Sequence, residues 1–326
     1  MAAAAPPLSE LAPTLAIALS QHLGPVTVAR LQRLSGGASR ETWAFDAVPN
    51  DGKAVPLVLQ RERPGGMRAT GAAATEVALL RAAAVAGVPV PSVVADGEDD
   101  GLGAPWVVTA RVEGETIARR ILRDEDLAGA RSRLTAQCGT ALAAVHRIPP
   151  AAVPGLAAPD PVDQHRTLLD QLGQPHPAFE LGLRWLAANR PPEGPPVVVH
   201  GDFRNGNLVV GPDGLRAVLD WELAHLGDPV EDLAWLCLRA WRFGAALPVG
   251  GFGRREELLA AYEAAGGRPV DPRALLWWEV LGTLRWGVIC IVQTTAHCAG
   301  LSRSVELAAI GRRVCETEHD LLRLLP

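Results

Sequence analysis

Residues 197–235 read VVVHGDFRNGNLVVGPDGLRAVLDWELAHLGDPVEDLAW, and this stretch decides the fold. An apolar strand, Val197-Val198-Val199, runs straight into His200-Gly201-Asp202, and Asn207 follows five residues after Asp202. A second strand pair turns at Pro212-Asp213-Gly214 and ends in Val218-Leu219-Asp220. Asn207 and Asp220 therefore stand at the ends of adjacent β segments. Oxygen donors placed in that way suit a Mg²⁺ ion bridging nucleotide phosphates. Asp202 opens the loop that supplies Asn207, so it is placed to take a proton from an attacking hydroxyl. His200 reads as a hydrogen-bonding brace for the loop. Asp228 and Asp232 read as residues that orient the loop or cap the helix starting near Pro229, where proline suits a first turn. Glu222 is either structural or a neighbour of the metal.

The order His200, Asp202, Asn207, Asp220 follows kinase logic, in which a loop aspartate is followed by an asparagine and then by a metal-binding aspartate. The stretch resembles the aminoglycoside phosphotransferase and choline kinase superfamily, whose catalytic loop reads H-G-D-x-x-x-x-N. Here those positions are His200, Gly201, Asp202 and Asn207, with Asp220 at the D-F-G position. The continuation D-W-E-x-x-x-x-G-D-P-x-x-D-L-A, Asp220 to Ala234, is similar to a bacterial branch of that superfamily. That branch also resembles the kinase-like domains fused to some acyl-CoA dehydrogenases. The likeness extends through Gly36-Gly37, Glu76, Val88 to Pro91 and Val112-Glu113-Gly114, and thins beyond residue 245. It implies an α+β, two-lobed protein-kinase-like fold, ATP as phosphoryl donor (GTP not excluded), Mg²⁺, and a small-molecule hydroxyl acceptor. Asp202 would be the catalytic residue, with Asn207 and Asp220 as metal ligands. The alternative is a nucleotide-binding pseudokinase acting as a regulatory module.

The rest of the chain fits two lobes. Residues 8–22 have helical character, followed by strand-like Val26–Leu34, Glu41–Val48 and Val55–Arg61. Asn50-Asp51-Gly52 marks a hairpin between the last two. Residues 70–86 are helix formers, and Val90–Ala95 and Ala104–Ala110 are further strands. Residues 124–147 and 162–189 look helical, separated by a Pro/Ala loop, and everything after about 229 looks helical again. This predicts a nucleotide-binding lobe over 1–110 and a catalytic, acceptor-binding helical lobe over 111–326.

In the first lobe, Leu34 to Arg40 contains two glycines and two serines whose backbone N–H groups are candidates for phosphate contact, Gly36 and Gly37 above all. Glu76 resembles the family glutamate that holds the phosphate-binding basic residue. That basic residue usually follows a Val-Leu pair; here Gln60 follows Val58-Leu59, and Arg61 comes next. Strand alternation puts the two on opposite faces. Either Gln60 contacts phosphate as a neutral donor or a bulge turns Arg61 inward; Arg61 is the favoured choice, since its fork binds phosphate and stays charged. Thr109 to Gly114 resembles the adenine-binding hinge, with Ala110 and Val112 as its contact residues.

Composition narrows the rest. The 326 residues are 48% hydrophobic and 21% charged, which excludes a disordered or collagenous chain. A net charge of −5 argues against a generic nucleic-acid binder. Lys53 is the only lysine and sits in the hairpin, outside the expected pocket. Five cysteines without a C-x-x-C point to reduced thiols and a cytoplasmic setting. The N-terminus reads as a tail and a first helix, and Leu275–Ala296, with Glu279 and Arg285 inside it, as a buried core helix; no membrane association is expected. Trp277, Trp278, Glu279, Arg285 and Trp286 share a helix predicted from near Asp271, either as core packing or as an acceptor pocket with Arg285 as anion anchor. Nine arginines offset the carboxylates of 254–326, so a polycationic acceptor is not inferred; an anionic or acyl-linked hydroxylated metabolite fits better. The expected state is a monomer or homodimer.

Overall fold

The computed structural model describes residues 8–34, 40–50, 52–62, 72–301 and 304–326. Helix α1 (Leu8–Leu23) leads into strands β1 (Val26–Leu34), β2 (Arg40–Pro49) and β3 (Val55–Glu62). Helix α2 (Ala72–Val85) and strands β4 (Val93–Gly97) and β5 (Trp106–Ala110) complete this part. The five strands form one antiparallel sheet in the order β1-β2-β3-β5-β4. Alternation is clean where it matters. Leu57, Leu59 and Arg61 of β3 face α1, as do Trp43 and Phe45 of β2, and the apolar members join Leu11, Leu15 and Leu19 in a core of their own. Val58 and Gln60, with Arg40, Thr42 and Ala44, face the opposite way, into a cleft. Phe45, Leu57 and Leu59 are fully buried, each contributing roughly 1.5–3 kcal/mol through removal of its side chain from water.

The larger part is helical: α3 (Ala118–Arg123), α4 (Ala128–Val145), α5 (Pro161–Leu172), α6 (Pro177–Ala188), α7 (Val230–Cys237), α8 (Arg255–Ala264), α9 (Pro272–Cys298), α10 (Val305–Ile310) and α11 (Arg313–Leu324). Embedded between α6 and α7 are β6 (Val197–Val199) paired with β9 (His225–Gly227), and β7 (Leu208–Gly211) paired with β8 (Gly214–Val218). A second, larger core gathers α2, the helices and these strands. Two expected helices are shorter than their sequence suggested. Residues 162–189 break in two because Gly173 takes φ 63° and closes α5, and Pro177 then starts α6 at its first turn. Glu125–Leu127 form a tight 3₁₀ turn ahead of α4.

Helix α9 is long and apolar enough to cross a membrane, yet most of its apolar window is buried within the protein. Its charges are satisfied there: Glu279 accepts from Arg255 at 2.7 and 2.8 Å, and Arg285 donates to Glu231 at 2.7 Å and to the Gly201 carbonyl at 2.9 Å. Asp271 caps the helix by accepting the Arg273 N–H at 2.8 Å.

Candidate active site

The loop after β6 is built by buried hydrogen bonds. Asp232 at the start of α7 is fully buried and accepts the N–H groups of His200 (2.7 Å) and Gly201 (2.9 Å), while His146 lies 3.2 Å away. Burial raises the Asp232 pKa, but His146 and these hydrogen bonds outweigh it and leave the carboxyl below its usual value. Asp228 instead accepts the Val230 N–H at 2.8 Å, so the orienting and capping roles fall to different aspartates. His200 is also fully buried. Its Nδ1 accepts the Asp202 N–H at 3.1 Å and its Nε2 meets the Leu219 carbonyl at 3.1 Å, so it braces one loop against the other. Burial holds its pKa below the ordinary imidazole value, which favours the neutral ring this geometry needs. Gly201 turns at φ 75°, where a Cβ would stand 2.4 Å from the Leu223 carbonyl oxygen; no other residue fits.

Asp202 is held from several sides. Trp235 Nε1 donates to Oδ1 at 2.8 Å, Asn207 Nδ2 to Oδ2 at 2.7 Å, and Arg204 Nε lies 3.1 Å from both oxygens. The Arg204 guanidinium rests on the Trp241 ring, 4.6 Å from its centroid. Asn207 spends its amide N–H groups on the Asp202 side chain and, at 3.0 Å, on the Asp202 carbonyl, which leaves its Oδ1 for another partner. Leu219 N–H donates to the Asn207 carbonyl at 2.8 Å, tying that residue to the segment carrying Asp220.

Asn207 and Asp220 both line the cleft between sheet and helices, a cavity of about 620 Å³. Asp220 has φ 66°, a left-handed conformation that a non-glycine residue adopts at a cost, often at functional sites. Burial, then the Glu222 and Asp202 carboxylates, push its pKa up to about 6, against the pull of Arg40. An excess of carboxylate beside a free amide oxygen suits a hard cation, so Mg²⁺ fits these residues; Asp220 and Asn207 would hold it, with Glu222 beside them.

The basic residue of the cleft is not the expected one. Arg61 is buried on the α1 face, where it pairs with Glu41 at 2.5 Å directly across the ladder and donates to the Leu102 carbonyl at 3.0 Å. No bulge interrupts the β2–β3 register, so Arg61 keeps the face of Leu57 and Leu59, and its assignment to the phosphates is corrected here. Gln60 faces the cleft. The partner of Glu76 is Arg40, at the start of β2: Nη1 donates to Glu76 Oε1 at 2.8 Å, Nη2 faces Oε2, and Glu222 stands 3.6 Å away. Against burial, Glu76, then Glu222 and Asp220, raise the Arg40 pKa further, so the guanidinium stays charged in the cleft. Gly36 and Gly37 lie outside the described residues. Ala110 and Val112 line the cleft opposite Arg40 and Glu76. Among the described residues, neither the N–H nor the carbonyl of Val112 is hydrogen-bonded.

Arg40, Arg204 and Trp235 were missed in the sequence. The misplacement of Arg61 carried a usable signal: apolar Leu57 and Leu59 place odd positions of β3 in the core, which sends Arg61 with them. Of the two readings left open for Arg285, core packing and anion anchor, the structure favours the first, since Glu231 and Gly201 consume its fork.

A profile of the phosphotransferase enzyme family matches residues 30–278. Among solved structures, an aminoglycoside-phosphotransferase-like protein of Ralstonia eutropha superposes with a TM-score of 0.74 at 22% identity, covering 96% of this chain and 97% of that one. Macrolide 2'-phosphotransferase MphH of Brachybacterium faecium gives 0.63 at 21% identity, covering 92% and 97%. Aminoglycoside phosphotransferase APH(4)-Ia, with ADP and hygromycin B, gives 0.66 at 17% identity, covering 97% and 98%. Mouse acyl-CoA dehydrogenase family member 10 is 31% identical over 220 residues, 59% of this chain and 19% of the relative. Human member 11 is 30% identical over 235 residues, 64% of this chain and 30% of the relative. The chain thus matches less than a third of the length of these larger relatives. With its two-lobed kinase-like fold and a family match spanning most of its length, the chain belongs to the phosphotransferase enzyme family.

Proposed function

We propose that the protein transfers the γ-phosphoryl group of ATP to a hydroxyl of a small molecule. The observation that carries this reading is the meeting of two adjacent loops, one with an anchored aspartate and an asparagine with a free amide oxygen, the other with a cleft aspartate, beside the Arg40–Glu76 pair that lines the same cleft. Residues 1–110 would bind nucleotide and 111–326 would supply the loop and the acceptor site, in the cytoplasm. The acceptor oxygen attacks the γ-phosphorus, the bond to the β-γ bridging oxygen breaks, ADP leaves, and the hydroxyl proton passes to Asp202. Trp235, Asn207 and Arg204 fix the carboxylate for that transfer, which is catalysis by positioning. Arg40 would reach the phosphates while Glu76 holds it, and the unpaired backbone groups of Val112 would meet the adenine edge. Mg²⁺, held by Asn207 and Asp220, would neutralise charge on the phosphates. Solved neighbours that carry ADP or AMP-PNP support ATP as the donor. The pseudokinase alternative rests on Gln60 standing where a lysine or arginine is usual, and Arg40 supplies the missing positive charge from the next strand.

The test is a pair of measurements on one variant. Mg·ATP at 100 times its Kd should stabilise the wild type by about 2.7 kcal/mol. Asp202→Asn should keep that thermal shift and lose transfer by roughly 10²–10⁴-fold, measured with γ-labelled ATP against a metabolite pool. A wild type that binds Mg·ATP but neither transfers to any pool metabolite nor slowly hydrolyses ATP is a pseudokinase.

A further inference from the structure

Charged side chains from three elements close a network around the turn that carries Asp202, and none of them lines the nucleotide cleft. Arg285 of α9 donates through Nη2 to the Gly201 carbonyl at 2.9 Å and through Nη1 to Glu231 Oε1 of α7 at 2.7 Å. The other Glu231 oxygen, Oε2, lies 3.2 Å from Nε2 of His225, the first residue of β9. His225 Nδ1 lies 2.9 Å from the Leu223 carbonyl. That carbonyl is the one that packs on Gly201 and forbids it a Cβ. The network therefore starts and ends at Gly201, the residue next to Asp202. It is also tied to the strand that feeds the loop, because His225 stands opposite Val199 in the β6–β9 ladder. Arg285 makes one more contact. Its guanidinium lies over the Trp235 ring, 4.7 Å from the centroid, and Trp235 Nε1 donates to Asp202 Oδ1 at 2.8 Å.

Both ring nitrogens of His225 face acceptors, one a carboxylate and one a carbonyl. A neutral imidazole has a single N–H to give, so only the imidazolium makes both bonds. Burial works against that charge, but the bond to Glu231, the charge of the same carboxylate and the Leu223 carbonyl outweigh burial and Arg285, and the His225 pKa is raised above the ordinary imidazole value. The second imidazole of the cluster, His165 of α5, behaves oppositely. Burial, with Arg285 adding to it, holds its pKa below the ordinary value against the Pro161 carbonyl and Glu231. Asp228, just ahead of α7, has its carboxyl raised by burial and by the charge of Glu231. That leaves His225 as the cationic imidazole of the network.

We propose that Arg285 is a positioning residue for phosphoryl transfer, holding Asp202 in place through Gly201 and Trp235, and that the proton on His225 keeps this clamp closed. The proposal rests on the phosphotransferase reading above and deepens it by giving Asp202 a support that responds to pH. With the proton in place, Glu231 is shared between imidazolium and guanidinium, and the Leu223 carbonyl is held against Gly201. Loss of the proton leaves one of the two acceptors facing a bare nitrogen lone pair. Either Glu231 or Leu223 must then shift, and both bear on Gly201, Leu223 directly and Glu231 through Arg285. The sign follows from the raised pKa. The clamp is complete below the ordinary imidazole value and is lost as pH rises through the folded value. The alkaline limb of the rate profile then belongs to a residue outside the cleft.

Turnover of Mg·ATP by the full chain, as transfer to a metabolite pool or as slow hydrolysis, is followed from about pH 6 to about pH 9. On the same samples, labelled with ¹⁵N, NMR reads the indole N–H resonance of Trp235, assigned with Trp235→Phe. In the wild type kcat should fall on the alkaline side while KM for ATP holds, and the Trp235 resonance should move over the same pH range. His225→Lys keeps a positive charge and should remove the alkaline limb. His225→Gln is neutral throughout; it should show at low pH the reduced rate that the wild type shows at high pH, with a Trp235 resonance that no longer follows pH. Arg285→Lys keeps a charge beside Glu231 but loses the fork and the planar contact with Trp235. It should lower kcat about ten-fold with KM for ATP unchanged, and should move the Trp235 resonance. An alkaline limb that survives in both His225 variants, a Trp235 resonance indifferent to pH, or Arg285→Lys with the wild-type kcat would each overturn the proposal. Loss of fold in one variant leaves the wild-type profile and resonance to decide. Turnover of the wild type reads the parent proposal separately: a Trp235 resonance that tracks His225 in a protein without turnover would leave the clamp standing and remove the kinase.

Discussion

Asp220→Asn should make the unliganded protein more stable and the enzyme inactive. The carboxyl is buried among Glu222, Asp202 and Glu76, and its pKa is pushed up to about 6 from 3.8. At ~1.4 kcal/mol per unit, keeping it ionised in the folded state costs about 3 kcal/mol at pH 7.5. The sign follows from proton binding. The folded pKa lies above the unfolded one, so between about pH 4 and pH 6 the folded chain holds the extra proton and stability falls as pH rises. The penalty is complete above pH 6. Asparagine carries no charge, so the variant escapes the penalty, and in a chain of 326 residues about 3 kcal/mol is worth roughly 4–5 °C in Tm. Scanning calorimetry of the two metal-free proteins should show that gap at pH 7.5, and about half of it at pH 5, where the folded carboxyl is largely protonated and the unfolded one is not. Asparagine also tolerates φ 66° better than most residues, a contribution independent of pH. A gap of equal size at both pH values would therefore refute the electrostatic reasoning and leave only the backbone effect, and no gap would refute both. Mg·ATP should rescue the wild type and not the variant, because a cation relieves the crowding of carboxylates that the substitution has already removed.

Two further substitutions probe the scaffold. Arg40→Lys should retain most activity while Arg40→Gln lowers kcat/KM about 30- to 150-fold, the worth of a charge-assisted contact, whereas Arg61→Ala should lower the melting temperature and leave KM for ATP unchanged, as steady-state kinetics and calorimetry would show. Asp232→Ala strands the His200 and Gly201 N–H groups in a dry interior and should destabilise the protein by about 3 kcal/mol or more in urea denaturation, with transfer activity lost before unfolding.

The catalytic loop was legible because its chemistry is local. His200, Asp202 and Asn207 lie within eight residues, strand ends fix where they point, and the glycine between His200 and Asp202 answers a backbone requirement that only glycine meets. The same holds for the sheet and its hairpin turn, which follow from period-two patterns. What the sequence hid is whatever two distant segments decide jointly. The pairing of Arg40 with Glu76 spans 36 positions and crosses from strand to helix, and neither residue advertises the other. The choice between Gln60 and Arg61 was legible in principle, since Leu57 and Leu59 already commit odd positions to the core. It was misjudged because the usual kinase arrangement draws the phosphate cation from β3. In the proposed reading β2 would supply it: Arg40 shares the cleft face with Thr42, and Thr42 stands opposite Gln60 in the ladder, so a longer side chain on the neighbouring strand enters the same space. The charge of the site is thus fixed by the face of the sheet, and the strand that delivers it is free to vary. The helical lobe hides its chemistry in the same way. Arg285, the residue in sequence most like an anion anchor, is spent on bracing the loop through Glu231 and the Gly201 carbonyl. Whether an arginine faces the cleft or braces the loop is therefore decided by how distant segments pack, a property only the packed chain has.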